Sequence, residues 1–469
     1  MSLVAGLDLG GSSVKAWVVD SEAPTEVVAS VTTPAPVLRP AAHRVEFAPA
    51  DWEVLCRTAL AEVVERAGRP GADYAGVTVG SLRQGFVLID GAGAPLGPGV
   101  LNSDRRGAAF TGVLAGQHRL TGHWPAPELT LPKLLAVQHD EPDRWRATAR
   151  VLFVHDWVLW RMTGVQVTEV SYACAGAMAD VAGRRWATSL LEQCGIGTGR
   201  LAPLVEAGLQ VGKLGAGWGL PVSLPVVSGC GDTQLAAMGV GGLGDGVVTV
   251  VAGSSTPVQA ATRVAVDDPL GRPWVSTHAA RDLWAAEGNA GYPGTVQGWW
   301  RSLVPGSDAG PIAEPSHVTA VTAAPYWSQE TWEHKPPTSL LGLRPDTTGR
   351  DVALALEQAH AYSVRGNVED LERALRRRAG AVIVTGGAAA DGRLPALLAQ
   401  VLGRDVHWAP AGGAAQAGVA LVARALGAPA HLPGLPEAVL AAGDPGRWLE
   451  GYQRWSAATE ALRAALPEH

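Results

Sequence analysis

The segment Gly6-Leu7-Asp8-Leu9-Gly10-Gly11-Ser12-Ser13-Val14-Lys15 decides how this chain is interpreted. Apolar runs at Val4–Leu7 and Ala16–Val19 predict two short strands joined by a tight turn. Two glycines and two serines in such a turn can surround phosphate oxygens with backbone N–H groups and hydroxyls. The carboxylate of Asp8, at the strand end, can hold a hydrated Mg²⁺. An ordinary Gly-Ser hairpin explains this segment equally well, so other segments must decide.

Two further predicted strands also end in glycine. Val247–Ala252 leads into Gly253-Ser254-Ser255, and Ala381–Thr385 leads into Gly386-Gly387. One such junction means little, because turns commonly need glycine. Three in one chain indicate a nucleotide held between two domains. The stretch Gly239–Gly244 fits G-x-G-x-x-G, but a helical pattern precedes it and a strand follows, so we interpret it as a loop rather than a dinucleotide fingerprint.

Three polar segments are candidates for an acceptor site. Asp232 lies between the strand-like Pro225–Ser228 and the helical pattern of Thr233–Met238. An aspartate there can cap the helix, which is the commoner role, or act as a general base towards a hydroxyl. Arg83-Gln84 and the stretch Asn102–Arg106 supply donors and acceptors that suit a hydroxyl-rich ligand. Each is equally explained as ordinary surface.

Length and composition limit the class of protein. The 469 residues predict two or three domains, and 47% hydrophobic with 17% charged residues excludes a disordered chain. With 37 Lys and Arg against 44 Asp and Glu, the net charge of −7 argues against a nucleic-acid binder. No apolar run is long enough to span a bilayer, and no signal-peptide pattern is present. Four widely spaced cysteines fit a reducing compartment, so we expect a cytoplasmic protein without membrane or nucleic-acid partners.

Strands alternate with helical patterns throughout, which predicts an α/β fold. We expect the first helix over Asp51–Arg66, with Asp51 as its N-cap. Further helices are expected over Asp351–Arg378, Gly392–Leu402, Gln416–Leu426 and Trp448–Leu466. No repeat with a period of 20–50 residues is visible.

Over essentially its full length, the chain resembles the FGGY family of carbohydrate kinases. The opening segment is similar to the first phosphate motif of that family, with serines where threonines are usual. Further similar segments are Val45-Glu46-Phe47, Leu101–Arg106, Phe153–Trp157 and Gly229–Gln234. The last of these carries the catalytic aspartate of the family, which selects the base over the cap for Asp232.

The resemblance implies a two-domain actin/hexokinase-like (ribonuclease H-like) ATPase fold with an interdomain cleft. We expect residues 1–243 to form a sugar-binding domain, residues 244–430 to form a nucleotide-binding domain, and residues 431–469 to form a tail helix that packs back on both. Asp232 is the expected catalytic base, and Asp8 is expected to hold Mg²⁺ through water. The expected acceptor-binding residues are Arg83, Gln84, Asp104, Asp232 and Thr233. The residues expected to bind ATP are Gly10, Gly11, Ser12, Ser13, Lys15, Gly253, Ser254, Gly294, Gly386, Gly387 and Asp391.

The implied activity is transfer of the γ-phosphate of ATP to a hydroxyl of a small sugar, with a ketopentose such as xylulose as the expected acceptor. Arg83 is instead similar to the arginine of glycerol and autoinducer-2 kinases, and the stretch Thr331-Trp332-Glu333-His334 resembles the autoinducer-2 kinase branch. A linear polyol or a signalling hydroxyketone is therefore the alternative acceptor. An actin-like ATPase without a sugar acceptor remains a second alternative. A homodimer is also expected as a possible assembly.

Overall fold

The computed structural model describes residues 2–24, 26–253, 255–304, 306, 318–324, 339–409, 412–430 and 432–465. Among these residues, no helix is both long enough and apolar enough to cross a membrane. Strands and helices alternate along the chain, as the α/β class requires. Ser254 and the stretch 331–334 lie outside the described residues.

In chain order, the strands are β1 (Leu3–Leu9), β2 (Ser13–Asp20), β3 (Val27–Pro34), β4 (Leu38–Ala41), β5 (Arg44–Phe47), β6 (Tyr74–Ser81), β7 (Phe86–Ile89), β8 (Gly99–Val100), β9 (Arg150–Phe153), β10 (Thr168–Glu169), β11 (Ala179–Asp180), β12 (Arg185–Trp186), β13 (Leu204–Val205), β14 (Gln210–Lys213), β15 (Pro225–Gly231), β16 (Val247–Val251), β17 (Pro257–Thr262), β18 (Trp274–Thr277), β19 (Trp284–Asn289), β20 (Thr322–Ala324), β21 (Ser339–Leu341), β22 (Ala381–Thr385), β23 (Val406–Trp408) and β24 (Val439–Leu440).

The α-helices are α1 (Pro49–Ala67), α2 (His118–Thr121), α3 (Thr130–Asp140), α4 (Pro142–Ala147), α5 (Val154–Thr163), α6 (Val170–Ala175), α7 (Thr188–Gln193), α8 (Asp232–Met238), α9 (Pro293–Leu303), α10 (Gly349–Leu375), α11 (Arg393–Leu402), α12 (Gly413–Ala425) and α13 (Pro445–Ala465).

The first large sheet has the strand order β14-β15-β6-β1-β2-β3. β1 and β2 pair antiparallel, as do β2 and β3, whereas β6 runs parallel to β1 and β15 runs parallel to β6. Because β1, β6 and β15 are parallel, their carboxyl ends meet at one edge, where Ser81 is paired with Leu9 on one side and with Gly231 on the other. This edge therefore brings together segments that are far apart in the sequence, and ligands of α/β proteins commonly bind at such an edge.

The second large sheet, β18-β19-β17-β16-β22-β23-β24, repeats that arrangement. β16 pairs antiparallel with β17, and β17 pairs antiparallel with β19, while β22 and β23 follow in parallel on the other side of β16. The turns after β1 and after β16 are therefore equivalent positions in two copies of one topology. The fold is the two-domain actin-like arrangement that the family resemblance implied.

A smaller sheet, β4-β5-β8-β7-β9, adds a layer to the first half of the chain. Its apolar core includes Leu134 of α3, Phe153 of β9 and Tyr172 of α6. Trp274, from β18 of the second sheet, packs into the same core. The two halves of the chain therefore share an apolar contact.

Helix α12 lies in the range expected for the second domain but packs on the first sheet. α12 lies against α8 and against β1, β2, β6 and β15 of the first sheet. In that contact, Trp17 and Val19 of the first sheet share one apolar cluster with Val419 of α12. Gly418 makes the close approach possible, because a Cβ there would lie 2.4 Å from the Trp17 ring. The chain thus returns to the first sheet after completing most of the second.

The tail helix α13 packs against α10, α11 and β20. Trp448 and Trp455 insert into the core of the second large sheet, with exposed fractions of 0% and 6%. Earlier in the tail, the backbone of Gly434 and Leu435 lies against Gly241, where an added Cβ would be 2.2 Å from Gly434 O. That the tail packs back on both domains stays a prediction.

Two helices begin at residues that differ from those predicted from the sequence. α1 begins at Pro49 with Ala48 as the N-cap, and Asp51 lies in its first turn, so the predicted cap is wrong. Proline is favoured at the first helical position because its fixed φ suits a helix and its missing N–H is not needed. α10 begins at Gly349 because Thr348 and Asp351 form a capping box.

Candidate active site

Two tight turns form equivalent loops at the starts of the two large sheets. Gly10 N–H donates to Ser13 O at 2.8 Å between β1 and β2, and Gly253 N–H donates to Ser255 O at 2.9 Å between β16 and β17. Gly11 is exposed, as is Ser12. An exposed turn of glycine and serine offers backbone N–H groups and a hydroxyl, which is the chemistry that phosphate binding requires.

Asn102 lies beside the first turn. A Cβ added to Gly11 would be 3.3 Å from Asn102 Oδ1, so that side chain approaches the backbone of the loop. The sequence analysis included Asn102 only as part of a polar stretch and selected Asp104 from it. Sequence spacing alone could not have identified this contact, because Asn102 is far from Gly11 along the chain.

The structure brings Asp8 and Asp232 close together at the common edge of β1, β6 and β15. Burial and the negative charge of Asp232 raise the pKa of Asp8 to about 7, while Lys15 lowers it in part. Lys15 is opposite Asp8 in the pairing of β1 with β2. Burial likewise raises the pKa of Asp232, and the Arg83 guanidinium opposes that rise. Paired acids with raised pKa values are frequent at catalytic sites.

Asp8 offers a ligand that fits a hydrated cation. Its Oδ1 atom is buried and has no hydrogen-bond partner among the described residues. Within that part of the chain, no group of three or more His, Cys, Asp or Glu side chains could hold a metal by itself. Mg²⁺ at phosphoryl-transfer sites typically uses one or two carboxylates together with phosphate oxygens and water. The donor set at Asp8 therefore suits Mg²⁺ bound with a nucleotide.

The local geometry of Asp232 is set by the first turn of α8. Gly231 occupies the N-cap position and Asp232 is the first helical residue, so Asp232 is not the N-cap. Its Oδ1 accepts the Thr233 N–H at 2.7 Å and the Thr233 hydroxyl at 3.3 Å. Both hydrogen bonds end on Oδ1, which leaves Oδ2 to accept a proton from a ligand.

Arg83 lies at the same edge but is already paired. Its Nη1 and Nη2 groups donate to Glu287 Oε2 and Oε1 at 3.1 and 2.6 Å. Glu287 belongs to β19 of the second sheet, so this ion pair joins the two halves of the chain. The sequence analysis missed Glu287. The one feature of the sequence that could have indicated Glu287 is that it is an acidic residue inside a largely apolar strand.

Two other predicted acceptor residues also lie at this edge. Gln84 is nearly buried, and its backbone has a φ of 62°, a left-handed conformation that is uncommon for a residue other than glycine. Its carbonyl accepts the Thr130 hydroxyl at 3.0 Å. The carbonyl of Thr233 accepts the Gln259 side-chain amide at 2.9 Å from the second sheet. Gln84 is therefore tied to α3 and Thr233 to the second sheet, and their expected contacts with an acceptor stay predictions.

Asp104 does not have the environment that we expected. It is fully buried, and its carboxylate accepts the Val45 N–H at 2.7 Å and the Arg106 Nε–H and Nη2–H, each at 2.8 Å. Arg106 also pairs with Glu46 at 2.5 Å. With these bonds the carboxylate has no capacity left for a sugar hydroxyl. The predicted substrate contact is therefore corrected to a structural ion-pair network.

On the second sheet, the two predicted nucleotide segments adjoin one another. Gly386 has a φ of 105°, and a Cβ there would lie 2.2 Å from Ala252 O, so glycine is required where β22 passes the end of β16. This contact brings Gly386-Gly387 next to Gly253. A Cβ at Gly387 would meet nothing within 4 Å, which leaves open space beside its backbone.

The remaining predicted residues are less closely tied to this site. Asp391 is exposed, and its Oδ1 accepts the Arg393 N–H at 3.1 Å at the start of α11. Gly294 lies in the first turn of α9. Neither has a described contact that joins it to Asp8 or Asp232, so their expected roles in nucleotide binding stay predictions.

Known proteins resemble this chain in sequence and in fold. A model of the N-terminal domain of the FGGY family of carbohydrate kinases matches residues 3–239. The putative sugar kinase YoaC of Bacillus subtilis is 32% identical over 232 residues, and that alignment spans about half of each protein, 47% of this chain and 46% of YoaC. Xylulose kinase of the same organism is 27% identical over 83% of this chain and 82% of its own length. The crystal structure of xylulose kinase from Rhodospirillum rubrum matches with a TM-score of 0.83 and 25% identity over 99% of both chains.

Proposed function

This chain belongs to the FGGY family of carbohydrate kinases, and we propose that it transfers the γ-phosphoryl group of ATP to one hydroxyl of a ketopentose such as xylulose. Members of this family are phosphotransferases that act on an alcohol group and use ATP as the donor. The choice of a ketopentose is supported by the relatives named xylulose kinase, which align over most of this chain.

The observation that carries the proposal is the pair of carboxylates at the end of the parallel strands. Asp232 is half-buried and both of its described hydrogen bonds end on Oδ1, and Asp8, whose Oδ1 is unpartnered among the described residues, lies close to it. A general base and a cation ligand side by side are the two acidic groups that phosphoryl transfer to an alcohol needs. An ATPase without an acceptor would need a water-positioning group but no pocket for a polyol.

In the proposed mechanism, the acceptor hydroxyl donates its proton to Asp232 Oδ2 as its oxygen attacks the γ-phosphorus, and the bond from that phosphorus to the β,γ-bridging oxygen breaks to release ADP. The raised pKa of Asp232 makes this carboxylate a stronger base than an exposed aspartate. Arg83 would orient hydroxyls of the acceptor with the N–H groups that its pair with Glu287 does not use. Gln84 and Thr233 would complete the acceptor pocket.

The donor side would use the two equivalent turns. Backbone and hydroxyl groups of Gly10, Gly11, Ser12 and Ser13 would contact the transferring phosphoryl group, with Lys15 stabilising its negative charge. Gly253 would contact phosphate oxygens, and Gly386-Gly387 would adjoin the adenosine. Mg²⁺, held by Asp8 through water, would neutralise phosphate charge when bound.

Domain motion is part of the proposal. Residues from both large sheets surround the site, so their closure would exclude water that competes with the sugar hydroxyl. The cytoplasmic location and the homodimer of the sequence analysis stay predictions.

The test is ADP release by the full chain with Mg²⁺ and ATP across a panel of acceptors. The panel contains D-xylulose, D-ribulose, glycerol, xylitol and 4,5-dihydroxypentane-2,3-dione, because a linear polyol or a signalling hydroxyketone remains the alternative acceptor. We expect strong stimulation by a ketopentose. Stimulation by the dione or glycerol alone would retain the kinase and replace the acceptor. ATP turnover that no acceptor changes would refute the kinase proposal.

A further inference from the structure

The ion pair between Arg83 and Glu287 is buried between the two halves of the molecule. Exposed fractions are 11% for the Arg83 side chain and 4% for the Glu287 side chain. Arg83 follows β6 of the first sheet, and Glu287 lies in the middle of β19, opposite Gln259 of β17. Both nitrogens of the guanidinium fork are engaged by both oxygens of one carboxylate.

This pair borders the acceptor pocket. A Cβ added to Gly231 would lie 3.0 Å from both Cγ and Cδ of Arg83, so the arginine stem runs along the backbone next to Asp232. The positive charge of Arg83 also lowers the pKa of Asp232 against the effect of burial. An acceptor that reaches Asp232 must therefore pass close to the Arg83 guanidinium.

The charge balance of this pocket disfavours an anionic acceptor. A buried arginine with a free fork is the usual partner of a carboxylate, because its two parallel N–H groups match two carboxylate oxygens. Here Glu287 already fills that fork. Among the residues that the structure describes, Asp8, Asp232 and Lys15 are the other charged groups of this edge that interact with one another, and Lys15 is opposite Asp8. A second carboxylate would meet uncompensated negative charge.

We propose that Glu287 determines acceptor specificity: by occupying the Arg83 fork, it restricts the pocket to neutral, polyhydroxylated acceptors and excludes sugar acids. This inference rests on the proposed kinase function, and it adds to it the chemical class of the acceptor and the residue that selects it. Glu287 comes from the nucleotide-side sheet, so the selection is complete only when both halves of the molecule contribute to the pocket.

The experiment compares one neutral and one acidic acceptor in the same enzyme preparation. The kcat/KM ratio of D-xylulose, or of the best neutral acceptor, to D-gluconate is measured for the wild type and for Glu287→Gln. A misfolded fraction lowers both kcat/KM values equally and cancels in the ratio. We expect the ratio to fall by about 10- to 100-fold in Glu287→Gln, the scale of one hydrogen bond to a charged group.

Asp268→Asn is the matched control. Asp268 is also a nearly buried carboxylate with a two-pronged arginine partner, Arg272 at 2.8 and 2.6 Å, and the substitution likewise removes one charge from such a pair. Asp268→Asn should leave the kcat/KM ratio within about threefold of the wild-type value, since an ion pair remote from the acceptor does not contact the acceptor. The double variant Arg83→Gln/Glu287→Gln removes both charges. It should not show the increase in relative kcat/KM for D-gluconate that we expect of Glu287→Gln.

The outcomes separate the two proposals. A wild type that phosphorylates a neutral acceptor, together with an unchanged ratio in Glu287→Gln, overturns the specificity role alone, as does a gain that persists in the double variant. A wild type that phosphorylates D-gluconate but no neutral acceptor overturns this inference and leaves the kinase activity standing, whereas a wild type that phosphorylates neither overturns both. If Glu287→Gln does not fold, Glu287→Asp withdraws the carboxylate by one methylene without losing the charge, and an unchanged ratio there also overturns the inference.

Discussion

Replacing Asp232 by asparagine tests the proposed general base without changing the shape of the side chain. In the structure, Oδ1 of Asp232 accepts two hydrogen bonds from Thr233, and the Oδ1 of an asparagine can accept both. Arg83 keeps its partner Glu287, so no buried cation is left unpaired. We therefore expect Asp232→Asn to fold, with a free energy of unfolding within about 1 kcal/mol of the wild type.

The expected loss of turnover follows from the missing base. General-base catalysis typically contributes about 10²- to 10⁴-fold. A hundredfold loss corresponds to about 2.7 kcal/mol of transition-state stabilisation. The assay is steady-state ADP release with saturating ATP and acceptor, and kcat should fall at least about a hundredfold. Because Asn keeps the hydrogen bonds of the first turn, the KM of the acceptor should change much less than kcat.

Asp51→Asn provides the control for this prediction. Asp51 also lies in the first turn of a helix, but on the exposed surface of α1. The same substitution there should leave kcat unchanged. A near-normal kcat in Asp232→Asn would refute the reasoning, because it would leave Asp232 only the role of stabilising the first turn of α8.

Arg83→Ala should raise the acceptor KM by about one to two orders of magnitude, the scale of a charged hydrogen bond, with little change for ATP; equal rises in both KM values would assign Arg83 to the domain contact alone. Gly387→Val should fold, because a Cβ there has open space, but its side chain should weaken the binding of a non-hydrolysable ATP analogue measured by calorimetry. Unchanged affinity would contradict the adenosine contact. Asp104→Asn should destabilise the protein in denaturant titrations by roughly 3–5 kcal/mol, since it breaks a buried ion pair, without a selective effect on the acceptor KM; such an effect would return Asp104 to the pocket. Burial raises the pKa of Glu169 to about 8, so its folded state holds the proton more tightly than the unfolded chain and stability is lost as pH rises from 4.5 towards 8. Glu169→Gln should therefore flatten the decline in unfolding free energy over this range, and parallel pH profiles of variant and wild type would show that Glu169 does not cause it.

The sequence was sufficient for the parts of the site that follow strand ends. Asp8 and Asp232 each come directly after an apolar run, and parallel pairing of those runs with β6 brings their ends to one edge. The glycine at position 386 was also identifiable, because a strand that turns sharply at its end requires a left-handed residue. These features depend on local pattern and on one rule of sheet geometry.

The sequence was insufficient where a role depends on a distant partner. Asp104 looked available, but three donors of Arg106 (its backbone N–H, Nε–H and Nη2–H) and the N–H of Val45 saturate its carboxylate. Glu287 pairs with a residue 204 positions away, and nothing in its own strand indicates that partner. The repeat of strand order in the two large sheets was also not detectable, because two sheets can have the same strand pairing with different amino-acid sequences.

The return of α12 to the first sheet has a consequence for how the protein is synthesised. On the ribosome, β1, β2, β6 and β15 all emerge long before residues 413–425 do. Until then, the face of the sheet that carries Trp17 and Val19 lacks its helical cover. The first half of the chain therefore cannot complete its fold independently, and a truncated protein that ends near residue 239 would expose an apolar surface and aggregate. In the full-length protein, folding of the first sheet has to wait for nearly the last helix of the chain.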